Sequence, residues 1–280
     1  MMATERISIS TCFDYGVPIE KQLALISEAG FIHVSVGSNR SHFDYLSKQR
    51  RAEMLRLLGE YSLSIDTIHG PQTDKTNADE LRSVAEAAVG LGAPVVVVHG
   101  GPFEFGENEL DARLTELRGK CRELEGISRR TGVVFALENV APGPATELVR
   151  KAILEADPAA VGFCYDSSHD QIGGPRGFDL LAELRDRLVA VHLSDRLREF
   201  VDHVIPGEGF IDWSKLCPIL ASARITFPLL LEVMTTNCVE KDPLRFLSQA
   251  FESGRELYHR IHSVGTHGNK PFGIKTWQQP

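Results

Sequence analysis

The sequence predicts a single-domain α/β fold, a (β/α)8 TIM barrel, and three observations carry that expectation. Eight short β-prone apolar runs recur along the 280 residues, amphipathic helical windows separate them, and no Gly-x-Gly-x-x-Gly follows any run. Strand–helix alternation gives a parallel sheet covered by helices. Eight such units in about 250 residues are what a closed barrel needs. The missing glycine fingerprint removes the support for the alternative, a doubly wound dinucleotide-binding sheet.

Taken in order, the strand runs are 7–12, 31–36, 63–69, 94–99, 133–138, 160–165, 188–192 and 228–233. The fourth, Pro94 followed by four valines and His99, has the near-continuous β-branched character of a strand buried on both faces. Between the runs, apolar residues fall at three- and four-residue spacing, as in Leu23, Ile26 and Ala29 or Leu81, Val84, Ala88 and Leu91, which predicts helices with one buried face. Gly30, Gly92 and Gly132 follow such windows and read as helix stops. Late in the chain Pro-Gly-Glu-Gly at 206–209 marks a turn, and Asp212 is placed to cap the next helix. Residues 1–262 are expected to form the barrel. Residues 263–280, with isolated apolar residues among glycines, prolines and lysines, read as an extension that either packs on a neighbouring copy in a homo-oligomer or is mobile.

Composition narrows the function classes. A formal charge of -8 argues against a surface built for polyanions, so nucleic acid is disfavoured as a partner. Cys12, Cys121, Cys164, Cys217 and Cys238 have no paired spacing, which suggests reduced thiols rather than disulfides or a Cys-based zinc site. No apolar run approaches the ~18–20 residues that span a bilayer, and no signal pattern opens the chain. A cytoplasmic protein without membrane association is expected.

The strand ends carry the chemistry. His69 ends the third run, His99 the fourth and Glu138 the fifth, with Asn139 after it. Asp166 follows the sixth, with His169 three residues on. His192 ends the seventh and Glu232 lies at the end of the eighth. In a barrel the C-terminal strand ends surround one mouth, so these side chains would meet although far apart in sequence. Imidazole nitrogen and carboxylate oxygen suit borderline divalent ions such as Zn2+ and Mn2+, and crowded carboxylates repel one another without a cation. Any one of these residues alone reads as a hydrogen-bonding rim group or a helix cap; six successive strand ends of this kind indicate a metal site. His33, His42, His259, His262 and His267 keep ordinary rim, helix-face or tail roles, and Trp213 that of a packing anchor. Gly-Gly-Pro at 100–102 and 173–175 is explained by turn formation, although backbone amides there could hold an anion.

The pattern resembles the xylose-isomerase-like barrel superfamily, which holds sugar isomerases and epimerases together with endonuclease IV. The likeness rests on Ala-Leu-Glu-Asn at 136–139, Tyr-Asp-Ser-Ser-His at 165–169, Val-His-Leu-Ser-Asp at 191–195, His-Val-Ile-Pro-Gly-Glu-Gly at 203–209, Ile-Asp-Trp at 211–213 and Leu-Leu-Glu at 230–232. The resemblance implies one divalent ion, Mn2+ or Zn2+ with Mg2+ or Co2+ also compatible, held by Glu138, Asp166, His192 and Glu232. It implies that Glu138 and Glu232 are catalytic, one abstracting a proton next to a carbonyl and the other returning it, with His169 and Arg198 at the substrate. The endonuclease IV comparison instead implies three zinc ions with further ligands at His69, His99, His169 and His203. That pattern wants an aspartate two residues before the loop histidine, where this chain has Val201, with Asp202 shifted by one.

The expected activity is therefore a metal-dependent isomerisation or epimerisation of a small sugar, sugar phosphate or polyol derivative. The alternatives are a dehydratase using the same enolate and an endonuclease IV-like phosphodiesterase. Enolisation needs a base within hydrogen-bond reach and a cation on the carbonyl oxygen. Glu138 and Glu232, on well-separated strands, suit opposite faces of a substrate.

Overall fold

The computed structural model describes residues 5–198 and 202–262; Val201 and the expected extension 263–280, with His267, lie outside the described residues. Eight parallel strands close into one barrel in sequence order. They are β1 (Ile7–Ser10), β2 (His33–Val36), β3 (Ser64–His69), β4 (Val95–His99), β5 (Val134–Glu138), β6 (Val161–Asp166), β7 (Leu188–Leu193) and β8 (Leu229–Leu231), and β1 pairs with β8 through Ile7 opposite Leu229. The helices are α1 (Ile19–Glu28), α2 (Lys48–Tyr61), α3 (Ala78–Leu91), α4 (Leu110–Thr131), α5 (Pro144–Glu155), the short α6 (Ser167–Asp170) and α7 (Asp179–Leu184), α8 (Trp213–Ser222) and α9 (Pro243–His262).

Two runs extend past the C-terminal ends of the strands they become. Ser10 accepts a hydrogen bond from Cys12 N at 3.2 Å and caps a 3-10 turn over Thr11–Asp14, so β1 stops at residue 10. The eighth run forms ladder structure only over Leu229–Leu231, and Glu232 stands just beyond it, its N–H still bonded to Leu193 O at 3.1 Å.

The main apolar core lies between the outer strand faces and the helices, where Ile7, Ile9, Val96, Val98, Leu81, Leu117 and Leu257 are buried. A smaller apolar cluster, Val95, Val97, Ala136, Cys164 and Ala190, fills one side of the barrel interior. Gly92 and Gly132 end α3 and α4 with φ of 76°, a left-handed conformation that glycine adopts without a Cβ penalty. The ladder slips between Val34 and Ser35, leaving Asp66 as the extra residue of β3, and between Phe163 and Cys164, leaving Val189 extra in β7. Such bulges re-aim side chains. Asp66 is buried and accepts the Ser8 hydroxyl at 2.9 Å.

Candidate metal centre

The strand ends deliver their polar residues to one place. His69, His99 and Glu138 close β3, β4 and β5, Asp166 closes β6, His192 lies in β7, and Glu232 follows β8. Glu138 and Asp166 are fully buried, His192 is 1% exposed and Glu232 9%. His192 Nδ1 is 2.9 Å from Glu138 Oε1 and 3.0 Å from Glu232 Oε2. His69 Nε2 and His99 Nε2 stand 3.2 and 3.1 Å from Glu138 Oε2. His169 comes from α6 and His203 from the β7–α8 loop. Their ring centroids are 5.4 Å apart.

The polar atoms are left in an unusual state. Glu138 Oε2, Asp166 Oδ2 and His99 Nε2 are buried without a hydrogen-bond partner; the His–Glu138 Oε2 approaches are close but lack hydrogen-bond geometry. Buried polar atoms are rarely orphaned, because leaving one unsatisfied costs ~1–3 kcal/mol. Asp166 divides its duties: Oδ1 accepts His169 N at 2.7 Å and caps α6, while Oδ2 faces the cluster. The helix-cap role and the cluster role therefore coexist in one carboxylate.

Four groups of these residues have potential ligand atoms within 4.8 Å of one another: Glu138, Asp166, His192 and Glu232; His69, His99 and Glu138; His69, His192 and Glu232; and Asp166, His169 and His203. Orphaned lone pairs, a mixed imidazole–carboxylate donor set and near-complete burial fit a divalent ion.

The electrostatics agree with that fit. Burial raises the Asp166 carboxyl to about 8, His203 opposing and Glu138 and Glu232 adding to the rise. Burial acts the same way on Glu138 and Glu232, but the neighbouring His192, with His99 beside Glu138, brings both below the usual carboxylate range. Burial disfavours the charged form of His192, and Cys164, Glu232 and Glu138 around it still hold it well above the ordinary imidazole range. Asp166 and His192 thus favour their protonated forms, and a cation among the same donors would offset the same crowding of carboxylates.

Supporting contacts orient the cluster. Asn139 Nδ2 donates to Asp166 O at 2.9 Å and its Oδ1 accepts Asp166 N at 2.8 Å, while Asn139 O takes His169 Nδ1 at 3.0 Å. That bond fixes the His169 tautomer and leaves its Nε2 lone pair free. Phe103 forms an aromatic wall edge-on to His99 and His169, with centroids 5.3 and 5.1 Å away. Cys12 Sγ lies 4.0 Å from Glu232 Oε1.

Arg198 sits at the edge of the described residues with its side chain exposed; its N–H donates to Asp202 Oδ2 at 3.1 Å. Arg196, which sequence reasoning passed over, is fully buried and donates through Nη1 to Ser168 O at 3.0 Å and through Nη2 to Arg198 O at 3.1 Å. Nothing in Asp-Arg-Leu-Arg tells which arginine turns inward. Asp202 does not join the three-ligand group of Asp166, His169 and His203; its Oδ2 accepts Leu197 N at 3.1 Å and its Oδ1 is buried without a hydrogen-bond partner. Trp213 is buried, and Asp212 caps α8 by accepting Ser214 N at 3.2 Å. The remaining described histidines hold ordinary partners: His33 with Ser64 Oγ, His42 with Val17 O, His259 with Glu5 and His262 with Tyr258 O.

Fold and site define a barrel with a His–carboxylate cluster at its C-terminal mouth. The chain belongs to the xylose isomerase-like TIM barrel family, whose model matches residues 23–252. Among curated relatives, an uncharacterised protein of Sinorhizobium fredii is 25% identical over 89% of this chain and 88% of its own length. A probable endonuclease 4 of Mycobacterium ulcerans is 27% identical over 62% of this chain and 69% of its own. Among solved structures, a D-tagatose 3-epimerase-like protein superposes with a TM-score of 0.74 at 20% identity, covering 92% of this chain and 99% of that one. An IOLI protein with a zinc atom superposes with a TM-score of 0.69 at 15% identity, covering 92% and 98%. At these identities the structural likeness speaks to fold. Among the described residues, no helix is long and apolar enough to cross a membrane.

Proposed function

We propose that this protein is a divalent-metal-dependent isomerase or epimerase of a small sugar, sugar phosphate or polyol derivative, acting by proton transfer next to a carbonyl. The observation that carries the reading is the group Glu138, Asp166, His192 and Glu232, four ligand atoms converging at the closed barrel's mouth. These residues would hold the ion, Mn2+ or Zn2+ by their chemistry. Once bound, it supplies Lewis-acid polarisation of the substrate carbonyl.

The two glutamates divide the work by environment. Glu138 is fully buried and has His69, His99, His169 and His192 about it. Glu232, whose side chain keeps 12% exposure, faces the open mouth and takes the carbon-bound proton. Glu138, from three strands away, serves the opposite face. Positioned acid–base groups of this kind contribute on the order of 10²- to 10⁴-fold. His69, His99, His169, His203 and Arg198 are assigned to substrate hydroxyls or a phosphate. A dehydratase would share the first proton abstraction and differ in losing a hydroxyl afterwards.

Incubation of the metal-loaded protein in heavy water with ketoses, ketose phosphates and keto-inositols is expected to place deuterium next to the carbonyl of at least one compound, and Glu232→Gln to abolish it. A panel left unlabelled by the metal-loaded wild type would count against enolisation.

A second reading, an endonuclease IV-like zinc phosphodiesterase, is favoured by one observation. The groups His69–His99–Glu138 and Asp166–His169–His203 flank the four-ligand group and share its carboxylates, an arrangement with room for more than one ion. Asp202 is in none of these groups: its Oδ2 caps the backbone at Leu197 and Arg198, while its Oδ1 is buried without a hydrogen-bond partner.

A further inference from the structure

Among the described residues, His203 is the one imidazole of the mouth carried by neither a strand nor a helix. Its backbone is left-handed, with φ of 41°, a conformation that side chains with a Cβ hold only where the surroundings impose it. Its ring Nδ1 shares a hydrogen bond of 2.9 Å with Ser194 Oγ, which leaves Nε2 for the cluster. The residue before Asp195 holds the ring, and Asp195 itself holds the loop on which the ring stands.

We propose that Asp195 is the positioning residue for His203; the functional sense of this rests on His203 being a ligand or substrate group. The Asp195 backbone bonds to the loop residue next to His203 in both directions: Asp195 N to Val204 O at 2.7 Å and Val204 N to Asp195 O at 3.0 Å. In this antiparallel bridge Ser194 and His203 lie diagonally on one face, where their side chains meet. The Asp195 carboxylate, fully buried, then gathers the return of the loop. Oδ1 accepts Arg196 N at 2.8 Å and Ile211 N at 3.0 Å, and Oδ2 accepts Gly207 N and Trp213 Nε1, each at 2.8 Å. Four N–H donors fill the four lone-pair sites a carboxylate offers. They come from both ends of the 196–213 excursion. On the far side Met234 N donates to His203 O at 2.9 Å, which ties the strained residue to the segment after β8.

Gly209 belongs to the same device. A Cβ there would fall inside the contact distance of Asp195 Oδ1 and the Arg196 carbonyl, so only glycine lets Phe210 N reach Arg196 O at 2.8 Å. The motif residues Asp195, Gly209 and Trp213 thus form one connected support. Asp195 touches no reacting atom and acts through His203.

Asp195→Asn tests this, because an amide keeps the size but offers donors where two of the four partners are also donors. The readout is ¹⁵N NMR of histidine rings at fixed pH in the full chain, with His203 assigned from His203→Gln. The Asn variant is expected to move the His203 ring nitrogens toward the tautomer average while those of His42 and His259 stay in place. Trp213→Phe, which removes one of the four donors, is expected to give a smaller shift in the same direction. It also serves alone if Asp195→Asn does not fold. A lowered melting temperature with unmoved His203 resonances would reduce Asp195 to a merely structural residue and overturn the proposal. Shifted resonances in a protein that labels no substrate would sustain it and count against the isomerase reading instead.

Discussion

Asp66 shows how one buried side chain gives a measurable property outside the cluster. Burial raises its carboxyl to about 6 from 3.8, the Ser8 hydroxyl and nearby backbone N–H groups pulling the other way. Its folded value lies above its unfolded one, so between about pH 4 and 6 the native chain holds a proton that the unfolded chain has lost. Its contribution to stability therefore falls as pH rises through that window and is absent above it. Asp66→Asn removes the slope and is expected to stabilise the protein at pH 7 by up to about 3 kcal/mol, and much less at pH 4. Denaturant unfolding of both proteins at the two pH values measures the difference; an equal difference at both would refute the assignment. At this scale the sequence was readable where a residue type recurred at a recurring place. His69, His99, Glu138, Asp166, His192 and Glu232 all stand at strand ends. Arg196, Phe103 and Asp195 were not legible as support, because each depends on which way a loop turns, and one-dimensional spacing does not encode that direction.

Among the elements, α4 and α9 each carry glycine in the helix interior, and packing gives the two opposite meanings. A Cβ on Gly119 of α4 would meet nothing closer than Arg122 Nη2 at 3.9 Å, whereas one on Gly254 of α9 would lie 2.8 Å from Ile7 Cγ2 and 3.1 Å from Leu231 Cδ1. Gly119→Ala is expected to stabilise by about 0.5–1 kcal/mol through helix propensity. Gly254→Ala gains the same propensity, but it overpacks the seam where α9 covers β1 and β8, which costs about 1–3 kcal/mol. It should destabilise on balance. Thermal unfolding of the pair decides, and stabilisation by both would mean that the seam yields more easily than its distances imply. The positions of strands and helices were legible because burial imposes a period on the chain. Their ends were less so: β1 stops early because the Ser10 hydroxyl captures a backbone N–H, and β8 is three residues long. Hydrogen bonding sets such ends, and hydrophobic pattern does not register it.

For the molecule as a whole, the question is which of two activities one barrel mouth serves, and the ligand groups are not independent. The four-ligand group uses Glu138 and Asp166, which two of the three-ligand groups also need. It brings three carboxylates and one imidazole, against one carboxylate and two imidazoles in each of those, so charge would favour a first cation there. Filling the others then requires a second and third cation around shared oxygens. The Asp166–His169–His203 group does not include Asp202, whose Oδ2 bonds the loop backbone. The molecule carries a formal charge of -8, which opposes the phosphate contacts on which duplex affinity and its salt dependence rest. The protein is therefore expected to retain about one full-occupancy ion and to leave an abasic-site duplex uncut at physiological salt. Anomalous scattering at the zinc edge and a nicking assay with the zinc-saturated protein measure these together. Two or three full peaks with cleavage that Glu138→Gln abolishes would transfer the mouth to phosphodiester chemistry, with His69, His99, His169 and His203 as ligands rather than substrate contacts.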